Sequence, residues 1–146
     1  MPLREDWFEF ERLHRAAAEG PIEELRSLVA AGCDVNAFDD MSRTPLHYAA
    51  EDEHYKAAEW LLDHGASVNA YEEEKIGETA LCLAVGQDYP EMVELLLKHG
   101  ADPDINGWMG LTARIRAHER KDEDGHKIAA LIEKFRPPKP NPGAKR

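Results

Sequence analysis

The sequence has few cysteines, few basic side chains and no long apolar run. The two cysteines, Cys33 and Cys82, lie in unlike contexts and form no CxxC pair. A disulfide framework is therefore not expected, and a reducing compartment is the simpler interpretation. Residues 1–10 carry four charged side chains, and no stretch is apolar over the length that a secretory signal or a membrane span needs. We expect a cytoplasmic protein without a membrane partner.

Basic side chains are outnumbered by acidic ones. The chain of 146 residues has 18 Lys and Arg against 29 Asp and Glu, which gives a formal net charge of −11. A surface of this sign repels nucleic-acid backbones and anionic membranes, so neither is expected as a partner. It suits a basic protein, whose approach it would accelerate. It suits equally a charge that serves solubility alone.

Catalytic and metal-binding motifs are missing as well. The sequence contains no nucleophile elbow, no phosphate-binding loop and no dinucleotide fingerprint. Its seven histidines form no HxxxH pair, and none stands beside a cysteine at the spacing of zinc ligands. The acidic residues occur in runs, which is typical of a solvated surface. We therefore expect no enzymatic activity, no metal and no cofactor.

What the sequence does contain is an internal repeat. Three segments end alike around a glycine, and these glycines are 33 and 35 residues apart: LVAAGCDVN at 28–36, LLDHGASVN at 61–69 and LLKHGADPD at 96–104. A second motif opens each unit, with clear copies TPLHYAA at 44–50 and TALCLAV at 79–85 and weaker ones at 13–17 and 112–118.

A period of about 33 residues with a TPLHxA opening is similar to that of ankyrin repeats. The resemblance covers about residues 10–136. It implies an all-α solenoid of stacked helix–turn–helix units with projecting β-hairpin-like loops. We predict one ankyrin-repeat domain over 1–136 followed by a Pro-rich flexible tail over 137–146, with repeats at about 10–40, 41–75, 76–108 and 109–136.

Local signals agree with this fold. Thr44 and Pro45 are typical of a helix start, because the threonine can cap exposed N–H groups and proline at the first turn loses no hydrogen bond. Three glycines are predicted to end helices in the left-handed conformation: Gly32, Gly65 and Gly100. Small side chains such as Ala49 and Ala50 allow neighbouring helices to approach closely.

The histidines have structural roles in this interpretation. His14 and His47 share one repeat position, where the resemblance implies that the ring bonds backbone between repeats. His64 and His99 precede the capping glycines, near the negative end of a helix dipole.

Both ends of the array depart from the motif. The fourth unit lacks the Pro-Leu-His core and carries an insertion at 121–124. At the other end, Trp7, Phe8 and Phe10 are expected to cover the first repeat.

The resemblance also implies where a partner would bind. Ankyrin proteins generally use the concave surface made by the loop tips, here called fingers, and by the first helix of each repeat. The three fingers are 38–43, 71–78 and 105–110, and the second is two residues longer than the first. Apolar residues stand at the tips among many carboxylates, and the predicted contact residues are Asp39, Asp40, Met41, Arg43, Tyr48, Glu51, Asp52, Tyr71, Glu72, Glu73, Glu74, Ile76, Glu78, Trp108 and Met109. Alternatively, the apolar tips pack against one another.

The predicted function is non-catalytic binding of a protein with a basic patch, by a chain that is itself a monomer. Such binding acts by occlusion or scaffolding, and an inhibitor or immunity protein that masks a basic toxin or enzyme is one form of it. The alternative is a structural protein that assembles into a homodimer through its fingers or through the ends of the solenoid.

Overall fold

The computed structural model describes residues 11–75 and 77–137, and over these residues the chain forms eight α-helices and no strand. The helices follow one another in four pairs: α1 Arg12–Glu19 and α2 Ile22–Ala30, α3 Pro45–Glu51 and α4 Tyr55–Asp63, α5 Ala80–Val85 and α6 Pro90–Lys98, α7 Ala113–Glu119 and α8 Glu123–Phe135. A single 3₁₀ turn, Trp108–Gly110, precedes α7.

The all-α class predicted from the sequence is confirmed. Each predicted repeat range contains one helix pair, although the boundaries between repeats stay predictions. Several predictions fall on residues outside the described ranges: those for Trp7, Phe8, Phe10 and Ile76, and that for the tail beyond Pro137. None of the helices over the described residues has the length and apolarity that a bilayer crossing needs.

In three of the four pairs, the first helix begins at a capping threonine. Thr79 Oγ1 accepts a hydrogen bond from the backbone N–H of Cys82 at 3.2 Å, and Thr112 Oγ1 accepts one from Ile115 at 3.1 Å. Thr44 forms a reciprocal capping box, because the Nδ1 atom of His47 accepts the Thr44 N–H at 3.0 Å. These bonds satisfy donors that a helix start leaves without partners inside the helix.

Glycines end the second helices, as predicted. Gly32, Gly65 and Gly100 have φ of 102°, 95° and 92°, in the region that favours glycine. The histidines before the last two glycines bond the helix end: His64 Nδ1 lies 2.7 Å from the carbonyl oxygen of Trp60, and His99 Nδ1 lies 3.0 Å from that of Leu95. Both rings therefore occupy positions at the negative helix terminus, as the sequence indicated.

The pairs stack in sequence order. The inner row consists of α1, α3, α5 and α7, and the outer row of α2, α4, α6 and α8; each helix contacts the next of its row. Ala49 and Ala50 are fully buried in α3, between α1 and α5, so the small side chains set the close approach of the inner row. Since each pair buries its apolar face against neighbouring pairs, the core runs continuously along the stack.

Polar side chains also tie successive repeats together. Asn36 donates to the carbonyl of Gly65 at 3.0 Å and accepts the N–H of Ser67 at 2.8 Å. Asn69 makes the same two bonds one repeat later, to Gly100 and Asp102, at 3.2 and 2.8 Å. These paired bonds fix the register of neighbouring loops.

Histidine rings supply further backbone bonds. His14 Nε2 lies 2.7 Å from the carbonyl oxygen of Ala37, and His47 Nε2 lies 2.5 Å from that of Glu78. His54, which the sequence did not single out, makes the equivalent type of contact to the carbonyl of Ala18 at 2.8 Å. The predicted role of His14 and His47 in bonding backbone is thereby confirmed.

Candidate functional site

The first finger is organised by Asp39. Its Oδ1 atom accepts the N–H groups of Met41 and Arg43 at 2.9 and 3.0 Å, and its own N–H donates to the carbonyl of Arg43 at 2.9 Å. Ser42, buried beneath the tip, adopts a left-handed conformation with φ of 60°. This tight turn directs the side chain of Met41 outward, and 67% of its surface is exposed.

The third finger is built differently. Gly107 donates its N–H to the carbonyl of Leu111 at 3.2 Å, and the 3₁₀ turn between them bends the chain so that Met109 has φ of 59°. Trp108 and Met109 emerge from this turn with 53% and 75% of their surfaces exposed.

The second finger closes on itself between Glu72 and Lys75. The Lys75 N–H donates to the Glu72 carbonyl at 3.1 Å, and the two side chains form an ion pair at 3.1 Å. A Cβ atom on Gly77 would lie 2.5 Å from the Glu72 carbonyl oxygen, so glycine is needed where the finger returns. Tyr71 is half-buried and Glu73 and Glu74 are exposed.

The fingertips collect the exposed apolar side chains. Among the described residues four large apolar side chains are exposed, namely Met41, Trp108, Met109 and Ile115. The first three stand on fingers, at positions that the sequence analysis selected. The tips of the first and third fingers therefore face solvent and are not buried against each other.

Clefts lie along the described parts of the fingers. The first, of about 270 Å³, lies between Met41 and Trp108 and is also lined by Leu83 of α5. The second, of about 320 Å³, lies between the second and third fingers, and the third, of about 340 Å³, lies between the first finger and α1. Trp108 borders the first and second clefts, and Met41 borders the first and third.

Half of the predicted acidic contact residues are engaged within the protein. Arg43 donates to both carboxylate oxygens of Glu51 at 3.0 and 3.2 Å. Arg116 of α7 donates to the Glu78 carboxylate, which also lies 3.4 Å from the backbone nitrogen of Trp108. With the Glu72 ion pair and the bonds of Asp39, these contacts compensate four of the predicted carboxylates.

Tyr48 joins the same cluster. Its hydroxyl donates to Asp39, and the Arg43 guanidinium lies 5.4 Å from the centre of its ring. Burial first, and the bond to the anionic carboxylate second, raise the pKa of Tyr48, so the phenol keeps its proton. The cluster makes the inner face of the second repeat more rigid and less negative than its sequence indicates.

The remaining acidic residues form the negative part of the face. Asp40, Asp52, Glu73 and Glu74 are exposed, and none forms an ion pair with a side chain in the described part of the chain. Asp40 lies beside Met41, and Glu73 lies in the second cleft with Trp108. Two of these four carboxylates, Asp40 and Glu73, therefore share a cleft with an exposed side chain that borders the first cleft.

Sequence reasoning missed two residues of this face, Leu83 and Arg116. Both stand four positions after the threonine that opens their repeat, the position that Tyr48 occupies in the second repeat. Aligning the repeats at that position would have placed all three on the concave side.

One group of acidic residues outside the fingers has the spacing of a metal site. Single oxygens of Asp88, Asp122 and Asp124 lie within 4.8 Å of one another. Arg120, however, donates to Asp88 at 2.8 Å and to Asp122 at 2.5 Å. Its guanidinium also bonds the carbonyls of Val85 and Gln87 at 2.8 and 2.7 Å. The Arg120 guanidinium thus already neutralises two of these three carboxylates.

A hydroxyl and an imidazole, those of Thr44 and His47, are in contact at the start of α3. Thr44 Oγ1 lies 2.8 Å from His47 Nδ1, but Thr44 is fully buried and His47 is 1% exposed. Burial lowers the pKa of His47 to about 4. The pair therefore caps α3 with a neutral ring and is closed to any substrate.

Comparison with known proteins agrees with the repeat pattern. A family model described as ankyrin repeats, in three copies, matches residues 13–107. The chain is 30% identical over 128 residues to the E3 ubiquitin-protein ligase hecd-1 of Caenorhabditis elegans, covering 84% of this chain and 5% of that protein.

Other relatives are similar over shorter lengths. The ankyrin repeat and KH domain-containing protein mask-1 of Caenorhabditis elegans is 39% identical over 60% of this chain and 3% of its own length. A putative ankyrin repeat-containing protein of Treponema pallidum is 36% identical over 70% of this chain and 34% of its own length. The chain therefore spans about a third or less of each of these relatives.

Proposed function

Because the chain belongs to the ankyrin-repeat family, whose members are generally protein–protein interaction modules, we propose that it binds a basic protein through its concave face. This face consists of the fingers and the inner helices. The observation that carries the proposal is the position of Met41, Trp108 and Met109, which are exposed at fingertips beside uncompensated carboxylates. Apolar side chains inside a charged rim are typical of protein interfaces.

The electrostatic part of the proposal rests on where the charge is not compensated. Asp40, Glu73 and Glu74 form no ion pair among the described residues, whereas Glu51 and Glu78 are each held by an arginine. A basic partner would gain attraction at the first three without having to break an existing pair. Encounter with such a partner is steered by charge and becomes slower as salt screens the field.

The proposal is tested by capturing partners from a lysate of the source cells with the wild type and with a Trp108→Ala, Glu73→Lys double variant. Glu59→Lys on the outer helix α4 is the matched control, since each Glu→Lys change shifts the net charge equally. We expect the double variant to lose the partner, the control to retain it, and recovery by the wild type to fall with rising salt. Equal recovery by the double variant and the wild type would show that another surface binds.

The mode of action follows from the same face. A domain that acts by binding alone can inhibit by occlusion, so we include an inhibitor or immunity role against a basic toxin or enzyme. Addition of this protein should then abolish the partner's activity at a one-to-one ratio. A partner that stays fully active in the saturated complex would instead indicate scaffolding.

Homodimerisation is the second candidate, and the exposed fingertips favour it. The C-terminal end of the stack favours it less, because Arg114 there is held by Asp104 and Glu133 at 2.7 and 2.9 Å. Light scattering at micromolar concentration separates the two candidates, since a monomer across this range excludes the dimer.

The cytoplasm is the compartment we propose. Cys33 and Cys82 are both unpaired, in agreement with a reducing environment. Fractionation of source cells with an antibody against the chain tests this directly.

A further inference from the structure

Three apolar side chains line the first cleft, together with Ser42, Arg43, His47 and Glu78. Met41 and Trp108 border it with 67% and 53% of their surfaces exposed, and the half-buried Leu83 also lines it. Covering these apolar side chains with another apolar group removes a large area from water, and tryptophan contributes more of it than most residues. The cleft therefore favours an occupant that is itself apolar.

The charged groups in this cleft are already compensated. Arg43 is held by both oxygens of Glu51, and Glu78 is held by Arg116. A lysine or arginine that entered would lose its water without finding an unpaired carboxylate, and this loss is costly. An apolar side chain entering the same space disturbs no ion pair.

The size of the cleft suits one large side chain. Its volume is about 270 Å³. Sites that enclose a drug-sized ligand usually measure about 300–1,000 Å³. The cleft is also open to solvent between the fingers, so a residue projecting from a loop or an extended segment can reach it.

Met41 and Trp108 each border another cleft as well, and each of those clefts contains an uncompensated carboxylate. Asp40 lies with Met41 in the neighbouring third cleft, and Glu73 lies with Trp108 in the second. Residues that flank the occupant on its own chain would therefore meet negative charge on both sides. Lysine or arginine at those flanking positions gives the complementary arrangement.

We propose that the cleft between Met41 and Trp108 receives one large apolar side chain of the partner, carried in a segment whose neighbouring residues are basic. This inference rests on the proposed function and specifies the chemistry that the concave face selects. It distinguishes Met41 from Met109, which is at least as exposed but borders the second cleft and is not among the residues that line the first.

The test uses short peptides Lys-Lys-Xaa-Lys-Lys, with leucine, tryptophan or alanine at Xaa, and the full chain labelled with ¹³C at its methionine methyl groups. Met41 reports on the cleft, Met109 is the matched exposed control, and buried Met92 reports on general structural change. We expect the leucine and tryptophan peptides to shift Met41 more than Met109. They should also bind about tenfold or more tightly than the alanine peptide.

Variants complete the experiment. Met41→Ala should weaken binding of the leucine peptide, whereas Ile115→Ala, at an exposed apolar residue outside the fingers, should leave it nearly unchanged. If all three peptides bind equally and Glu73→Lys weakens each of them, the proposal for the first cleft is wrong and the acidic face of the proposed function stands. The proposal is also wrong if the methyl resonance of Met109 shifts more than that of Met41, or if no peptide shifts Met41. If neither Met41→Ala nor Glu73→Lys weakens binding of the natural partner, both the proposal for the first cleft and the proposed function are wrong.

Discussion

Arg114 donates from Nε and Nη2 to the two carboxylate oxygens of Asp104, at 2.7 and 3.0 Å. Both residues depart from the repeat pattern. Asp104 stands where Asn36 and Asn69 clamp the following loop, and Arg114 stands where earlier repeats have a buried leucine. The two departures meet each other and give the stack a polar end in place of an apolar one.

Replacing Arg114 by alanine should lower the free energy of unfolding by about 2 kcal/mol, since several charged hydrogen bonds are lost together. Besides Asp104, the guanidinium bonds Glu133 at 2.9 Å and the carbonyl of Arg136 at 2.7 Å. Urea unfolding measures the change. Arg26→Ala is the control, because this side chain is 62% exposed and makes one contact at 3.8 Å. Equal loss of stability in the two variants would contradict a capping role for Arg114.

Much of the fold can be predicted from the sequence because each repeat carries similar local signals for where its helices start and end. Thr44 and Thr79 start helices and Gly32, Gly65 and Gly100 end them through interactions with residues only a few positions away. A period of about 33 residues then places equivalent faces next to one another. The fingers follow as the segments between a helix end and the next threonine.

The electrostatics of the face could not be predicted in the same way. Glu78 directly precedes its repeat's threonine and Arg116 stands four positions after the threonine of the next repeat, so no periodic alignment pairs them. Their contact depends on how closely α7 packs against the second finger, which is a property of the folded stack. For this reason the sequence indicated a broadly acidic surface, whereas the fold compensates Glu51 and Glu78 internally.

His47 should make stability depend on pH. Burial lowers the pKa of its ring from the ordinary 6.5 to about 4. Between these values the unfolded chain binds the proton and the folded chain does not, so stability falls as pH drops from 6.5 and the loss levels off below 4. The full loss is about 3 kcal/mol, because each pKa unit corresponds to about 1.4 kcal/mol.

The variant His47→Gln isolates this contribution. It should be less stable than the wild type at pH 7, because the bonds to Thr44 and Glu78 are altered, but it should lose less stability between pH 7 and pH 4.5. Urea unfolding at the two pH values gives the difference. Parallel loss in both proteins would assign the pH dependence to other groups.

We predict that Gly→Ala changes stability in opposite directions at two positions. Gly125 lies inside α8, where alanine is ordinarily preferred by about 1 kcal/mol, yet a Cβ atom there would lie 2.3 Å from the Cβ atom of Arg120. Gly125→Ala should therefore destabilise the protein by about 1–3 kcal/mol, the usual cost of overpacking. Gly86 has φ of −79° and a hypothetical Cβ no closer than 3.5 Å to other atoms. Gly86→Ala should stabilise by about 0.4–1 kcal/mol, and thermal or urea unfolding shows whether the two signs differ.

Asp39 and Asp40 offer a final contrast between neighbouring residues of one type. Asp39 accepts two backbone N–H groups and the Tyr48 hydroxyl, whereas Asp40 is exposed and makes no ion pair with a described side chain. Asp39→Ala should therefore speed amide hydrogen exchange at Met41 and Arg43, because their N–H groups lose the acceptor that orders the turn. Asp40→Ala should leave those rates unchanged while weakening attraction of a basic partner. Two-dimensional NMR measures exchange in both variants, and faster exchange in the Asp40 variant alone would reverse the assignment of structural and binding roles.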